Sequence, residues 1–146
     1  MLLNKIKYRL SLAFRELNRV RYRMLGVSVG KDVFISWGAY IDTCYPGSIE
    51  IGDQCCITNG AKLIAHDHSV YRLPQQEGAH DDGTGRIRLG KNVFVGAGSI
   101  VLRNVTIGDN AIISAGSVVG KDVPPSVVVM GNPARVIKDF SVNDAL

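Results

Sequence analysis

The 146-residue chain has no apolar run long enough to cross a bilayer. No small-residue cleavage pattern follows its charged N-terminus, so neither a spanning helix nor an exported precursor is expected. Cysteine is scarce and odd in number, at Cys44, Cys55 and Cys56, which fits reduced, structural thiols in a cytoplasmic protein better than a disulfide framework. Amphipathic helical spacing is missing from residue 29 to residue 124. A TIM barrel or a doubly wound sheet, both of which need helices between strands, is therefore excluded. Acidic residues are nearly absent from the first 24 positions. Lys5, Lys7, Arg9, Arg15, Arg19, Arg21 and Arg23 stand there against Glu16 alone, a local balance of +6 within a chain of net charge +4. The rest is slightly acidic, so the pI of 9.1 belongs to one segment, and no folded basic surface for nucleic acid is expected.

What fills the chain instead is a period of six. Aliphatic residues recur without a slip at Leu89, Val95, Val101, Ile107, Ile113 and Val119. Four positions after each stands a small or β-branched residue: Val93, Ser99, Val105, Ala111, Ser117 and Val123. A helix would scatter every sixth residue over drifting faces, whereas on a strand i, i+4 and i+6 share a face. One hexad is then a short strand and a corner, and three hexads close a triangular coil with i and i+4 pointing inward. Glycine at the second hexad position (Gly90, Gly96, Gly108, Gly120) suits a sharp corner.

The phase extends upstream through Val29, Val33, Ile35, Ala39 and Ile41. It breaks over Tyr45 to Glu50, then resumes with Ile51, Cys55, Ile57, Ala61 and Leu63. At Asp67, where a small inward residue belongs, the coil is interrupted until Leu89. The expected architecture is all-β: a parallel β-helix over residues 25–138, with an external loop at about 65–87 and a tail at 139–146. Residues 1–24 carry Leu3, Ile6, Leu10, Ala13, Leu17, Val20 and Met24 at alternating steps of three and four, which predicts an amphipathic basic helix. Its apolar stripe would pack on the β-helix or a neighbouring subunit, or lie on an anionic membrane surface.

The hexads, followed by Met130 to Lys138 (MGNPARVIK), closely resemble the left-handed β-helix acyltransferases known as bacterial hexapeptide transferases, in particular the maltose and galactoside O-acetyltransferase-like group. The resemblance covers roughly residues 25–138. It implies a left-handed coil, a homotrimer with active sites in grooves between subunits, and acetyl-CoA as co-substrate with no metal. In this family a histidine deprotonates an acceptor hydroxyl, which attacks the thioester directly. Imidazole suits that task near neutral pH.

All three histidines, His66, His68 and His80, lie in the external loop, and loops of that length in compact domains are usually functional. Counting without gaps from IGDQ aligns His68 with the family's base. The HDxS variant of the motif selects His66, and Asp67 and Ser69 then fit as well. Both stand as candidates. The resemblance also implies coenzyme contacts: Gly96 and Ala97 at the thioester carbonyl, Ser114, Ala115, Gly120 and Lys121 along the pantetheine arm and phosphates, and Arg135 and Lys138 at the nucleotide phosphates. Trp37, Tyr40 and Tyr45 are candidates for stacking on a sugar acceptor. Three rivals are an amino-sugar N-acetyltransferase, a non-catalytic β-helix scaffold, and a carbonic-anhydrase-like zinc enzyme using the three histidines.

Overall fold

The computed structural model describes residues 13, 14, 16–72 and 81–140. Its strands are short, as the hexads require, and wind into a three-sided parallel β-helix. The first face stacks β1 (Ser28–Val29), β4 (Ile49–Ile51), β7 (Ile87–Leu89) and β10 (Val105–Ile107). The second stacks β2 (Phe34–Ile35), β5 (Cys56–Ile57), β8 (Phe94–Val95), β11 (Ile112–Ile113) and β13 (Val127–Gly131). The third stacks β3 (Tyr40–Ile41), β6 (Lys62–Leu63), β9 (Ile100–Val101) and β12 (Val118–Val119). Each coil donates N–H groups to the carbonyls of the next, as Phe34 does to Cys55 at 2.8 Å and Cys56 to Val93 at 2.9 Å. A final strand, β14 (Ala134–Asp139), turns back antiparallel along β13.

Every inward position of the hexads from Val29 to Val123 is buried, including the small residues Ala61, Ser99, Ala111 and Ser117. The buried Ser99 hydroxyl donates to the Gly96 carbonyl at 2.6 Å, so its polarity is satisfied inside the coil. Cys55 points in and is pushed up to about 11 by burial, while Cys56 points out. Asp67 is exposed, the chain having left the coil after Ala65.

Three of the hexad glycines, Gly90, Gly96 and Gly108, serve a different purpose from the one expected. Left-handed backbone falls instead at the corners, on Asn92 and Asn110 and on Gly98 and Gly116. A Cβ on Gly90 would sit 2.3 Å from the Asp109 carboxylate, and one on Gly96 would sit 2.5 Å from the Ala115 nitrogen. Close approach of stacked coils, not backbone strain, demands glycine there.

The chain is helical at 13–14 and 16–24. The first coil has no coil above it to use its outward carbonyls, and this helix supplies side chains for them. Asn18 donates to Ile35 at 2.9 Å, Tyr22 to Ala39 at 3.3 Å, and Arg23 to Val29 at 2.9 Å. Asn18 and Tyr22 are the buried face. The described part of the apolar stripe does not pack on the coil: Leu17, Val20 and Met24 are 56%, 46% and 83% exposed.

Candidate active site

The third face ends, coil by coil, at the edge where the external loop departs. Asp42 follows β3 and is buried. Its Oδ1 accepts the Cys44 N–H at 3.0 Å and its Oδ2 accepts the Ala65 N–H at 3.0 Å. Oδ2 also pairs with Nδ1 of His66, whose ring is partly exposed. Burial alone would raise the Asp42 pKa, but the hydrogen bonds from Cys44, His66 and Ala65 outweigh it and hold the carboxyl below its usual range. The Cys44 thiol, sharing the same carboxylate, is pushed up. Donor atoms of Asp42, Cys44 and His66 lie within 4.8 Å of one another, a spacing that could hold a metal. The Asp42 oxygens are already taken by N–H groups, so the trio is a hydrogen-bonded dyad with an adjacent thiol.

His66 also bridges Thr84 on the returning arm of the loop. His68 opens a short 3-10 helix, His68–Arg72, and is exposed. Its ring centroid lies 5.0 Å from that of His66 and 5.9 Å from Tyr71, whose hydroxyl donates to the Asp82 carbonyl at 2.7 Å. Asp67 accepts the Ser69 N–H at 2.8 Å, and this bond with the Ser69 hydroxyl holds its pKa down. Arg103 clamps the returning arm, with Nη2 2.6 Å from the Asp81 carboxylate and Nη1 3.3 Å from the Thr84 carbonyl. His80 lies outside the described residues.

Two cavities share Gly120 in their linings. One, of about 380 Å³, is lined by Ile64, His66, Asp67, Leu102, Arg103 and Gly120. The other, of about 530 Å³, runs from Val119 through Gly120 and Lys121 to Pro133 and Arg135. A Cβ on Gly120 would meet only Leu102, at 3.5 Å, so the space beside this glycine is open.

The remaining sequence candidates are dispersed. Lys138 is outside both cavities, its ammonium 4.5 Å from the Phe140 ring centroid. Gly96, Ala97, Ser114 and Ala115 occupy the corner between the second and third faces, separated from His66 by the width of the third face, and line neither cavity. Of the three aromatic candidates, Tyr45 has its ring centroid 6.2 Å from that of His66. Trp37 instead meets Phe14 of the N-terminal helix edge-on at 6.4 Å. Sequence reasoning missed Asp42 and Arg103. The only cue to Asp42 was an acid directly after an inward isoleucine, just before the phase breaks.

Residues 86–121 match the family described as "Bacterial transferase hexapeptide (six repeats)", and residues 26–64 match "Hexapeptide repeat of succinyl-transferase". The chain is 44% identical over 136 residues to Protein CapG of Staphylococcus aureus, covering 90% of this chain and 76% of that one.

The chain belongs to the bacterial hexapeptide transferases.

This hexapeptide transferase is also 33% identical over 118 residues to the galactoside O-acetyltransferase of Escherichia coli, covering 81% of this chain and 56% of that protein. Among solved structures it resembles a hexapeptide-repeat acetyltransferase of Vibrio cholerae complexed with acetyl-CoA. The TM-score is 0.67 at 30% identity, over 78% of this chain and 60% of that one. The left-handed coil expected from the sequence is the fold of this family. Apart from CapG, the transferase spans somewhat over half the length of these relatives.

Proposed function

We propose that this hexapeptide transferase is an acetyl-CoA-dependent O-acetyltransferase that acetylates a hydroxyl of a sugar or surface-polysaccharide precursor in the cytoplasm. The observation that carries the reading is that Gly120 lines both the cavity holding His66 and the one lined by Lys121 and Arg135. A coenzyme with its phosphates at the basic end would bring its thioester toward the imidazole.

In this scheme His66 is the base. The buried Asp42 carboxylate accepts a hydrogen bond from Nδ1–H, which fixes the tautomer and leaves the Nε2 lone pair free to act as the base. Nε2 takes the proton of the acceptor hydroxyl as its oxygen attacks the thioester carbon. The tetrahedral intermediate then collapses with cleavage of the C–S bond, and the imidazolium returns the proton to the departing thiolate. Among the described residues His68 has no buried carboxylate partner comparable to Asp42, and its place beside Tyr71 suits acceptor contact. No metal is needed.

The oxyanion donors are read as coming from a second copy of the chain. Gly96 and Ala97 stand across the third face from the His66 of their own chain, so a site using them with that imidazole needs a neighbour. The second face offers a surface for such a neighbour. Its outward column, Phe34, Cys56, Phe94, Ile112 and Val128 in register, is apolar. The first face is polar, with Arg88 3.5 Å from Glu50. A homotrimer closes such contacts by cyclic symmetry.

The test is thiol release from acetyl-CoA across hydroxyl sugars and amino sugars, with the acetylated product treated with mild alkali. Release with a hydroxyl acceptor and an alkali-labile product is expected. An alkali-stable product would make it an N-acetyltransferase. Absence of both turnover and acetyl-CoA binding by calorimetry would leave a non-catalytic scaffold.

A further inference from the structure

The acetyl-transfer scheme makes no use of the N-terminal helix. Polar and aromatic side chains fasten that helix to the first coil: Asn18 and Tyr22 are buried against it and Arg23 reaches the Val29 carbonyl. The stripe that amphipathic spacing would normally bury is turned outward. Leu17, Val20, Met24 and Leu25, with the stem of Arg21, line a shallow apolar hollow on the outer side of the helix. Phe14 continues it, 58% exposed and packed edge-on against the exposed Trp37, and the Arg21 guanidinium lies 6.0 Å from the Trp37 ring.

Charge identifies the occupant. Seven of the chain's 17 basic residues lie in its first 24 positions beside a single acid. Over the rest of the chain acids outnumber bases, so the positive charge is concentrated in the sequence segment that includes the exposed stripe. A homomeric contact through this segment would set +6 against +6, whereas an anionic bilayer neutralises the arginines and accepts the apolar stripe at once. An exposed tryptophan at the edge of the stripe is the side chain most suited to the headgroup level. An acidic protein would satisfy the charge but gives no account of a continuous aliphatic row.

We propose that the N-terminal helix docks this transferase on the surface of an anionic lipid bilayer, with Leu17, Val20, Met24 and Leu25 at the headgroup–acyl boundary, Arg21 on the phosphates and Trp37 at the interface. The helix lies on the membrane and does not span it. Docking holds the first coil against the bilayer, which suits an acceptor presented at a membrane surface.

The full-length protein is to be mixed with vesicles of phosphatidylcholine alone, or of equal parts phosphatidylcholine and phosphatidylglycerol, and sedimented. Binding to the mixed vesicles only, weakened by molar salt, is expected. Trp37 is the only tryptophan, so its emission should shift to the blue and be quenched by acyl-brominated lipid. The Leu17→Glu/Met24→Glu variant should bind at least about ten-fold more weakly and keep wild-type thiol release and oligomeric size. Equal binding by that variant, or no preference for anionic vesicles, overturns the proposal. So does a change of oligomeric size in the variant without vesicle binding by the wild type, which would make the stripe an interface between copies.

Discussion

The buried carboxylate of Asp42 engages the Nδ1 of His66 across 24 residues of chain, joining the end of one third-face strand to the loop that leaves the next. Stacked coils make this possible. β3 and β6 pair in parallel register, Tyr40 on Lys62 and Ile41 on Leu63. The residues just after each pair are thereby brought one above the other.

If the dyad fixes the tautomer of the proposed base, Asp42→Asn should cut kcat by about 10²–10⁴-fold, because an amide can donate to Nδ1 and displace its proton to Nε2. The KM for acetyl-CoA should change little. Steady-state kinetics at saturating acceptor measure both. A raised KM with kcat preserved would show that Asp42 shapes binding only.

The same carboxylate gives a stability signature. Desolvation raises its pKa, but its hydrogen bonds prevail, so the folded value lies below the unfolded one of about 3.9. A depressed folded pKa contributes stability above the unfolded value, which is lost as pH falls through the folded value. The Tm difference between wild type and Asp42→Asn should therefore hold steady from neutrality to about pH 5 and shrink below about pH 4. A difference that shrank between neutrality and pH 5 would contradict this.

Gly120 is predicted to be a passage. Its Cβ direction is open to all but Leu102 at 3.5 Å, so Gly120→Val should fold with a stability change within about 1 kcal/mol. The added bulk should intrude on both cavities and raise the KM for acetyl-CoA several-fold or abolish turnover. Unaltered kinetics in a folded variant would separate the two cavities functionally.

Arg135 lines the basic cavity with its guanidinium exposed, donating to the Ala134 carbonyl at 2.9 Å. Arg135→Ala should weaken acetyl-CoA about ten-fold, raising KM more than it lowers kcat. Calorimetry with acetyl-CoA gives the affinity directly, and an unchanged value would remove Arg135 from the coenzyme site.

The ladder of the core was legible because each inward position must hold an aliphatic or small residue to fill a narrow triangular coil, and a single slip would turn a side chain outward. Val93, Ala111 and Ser117 follow that requirement. The reason for the hexad glycines was not legible, since the clash at Gly90 arises from Asp109 in the following coil and no local rule foresees it. The described part of the N-terminal helix, 13–14 and 16–24, was legible but its orientation was not, and residues 1–12 with Leu3, Ile6 and Leu10 lie outside the described residues. The stripe of Leu17, Val20 and Met24 faces outward because the first coil presents carbonyls that Asn18 and Tyr22 can cap. Counting from IGDQ pointed to His68, whereas the HDxS motif, which Asp67 and Ser69 also fit, favoured His66. The two histidines differ in what lies above them one coil away, Asp42, which no periodicity marks as special.

The central claim, that His66 is the base, is tested most directly by kcat and acetyl-CoA affinity of His66→Ala, measured beside His68→Ala. The account predicts a loss of about 10²–10⁴-fold in kcat for His66→Ala with coenzyme affinity unchanged, and a milder effect confined to acceptor KM for His68→Ala. An inactive His68→Ala with a nearly normal His66→Ala would move the base to the neighbouring ring. Near-normal turnover in both, and in the double variant, would contradict histidine base catalysis in this protein.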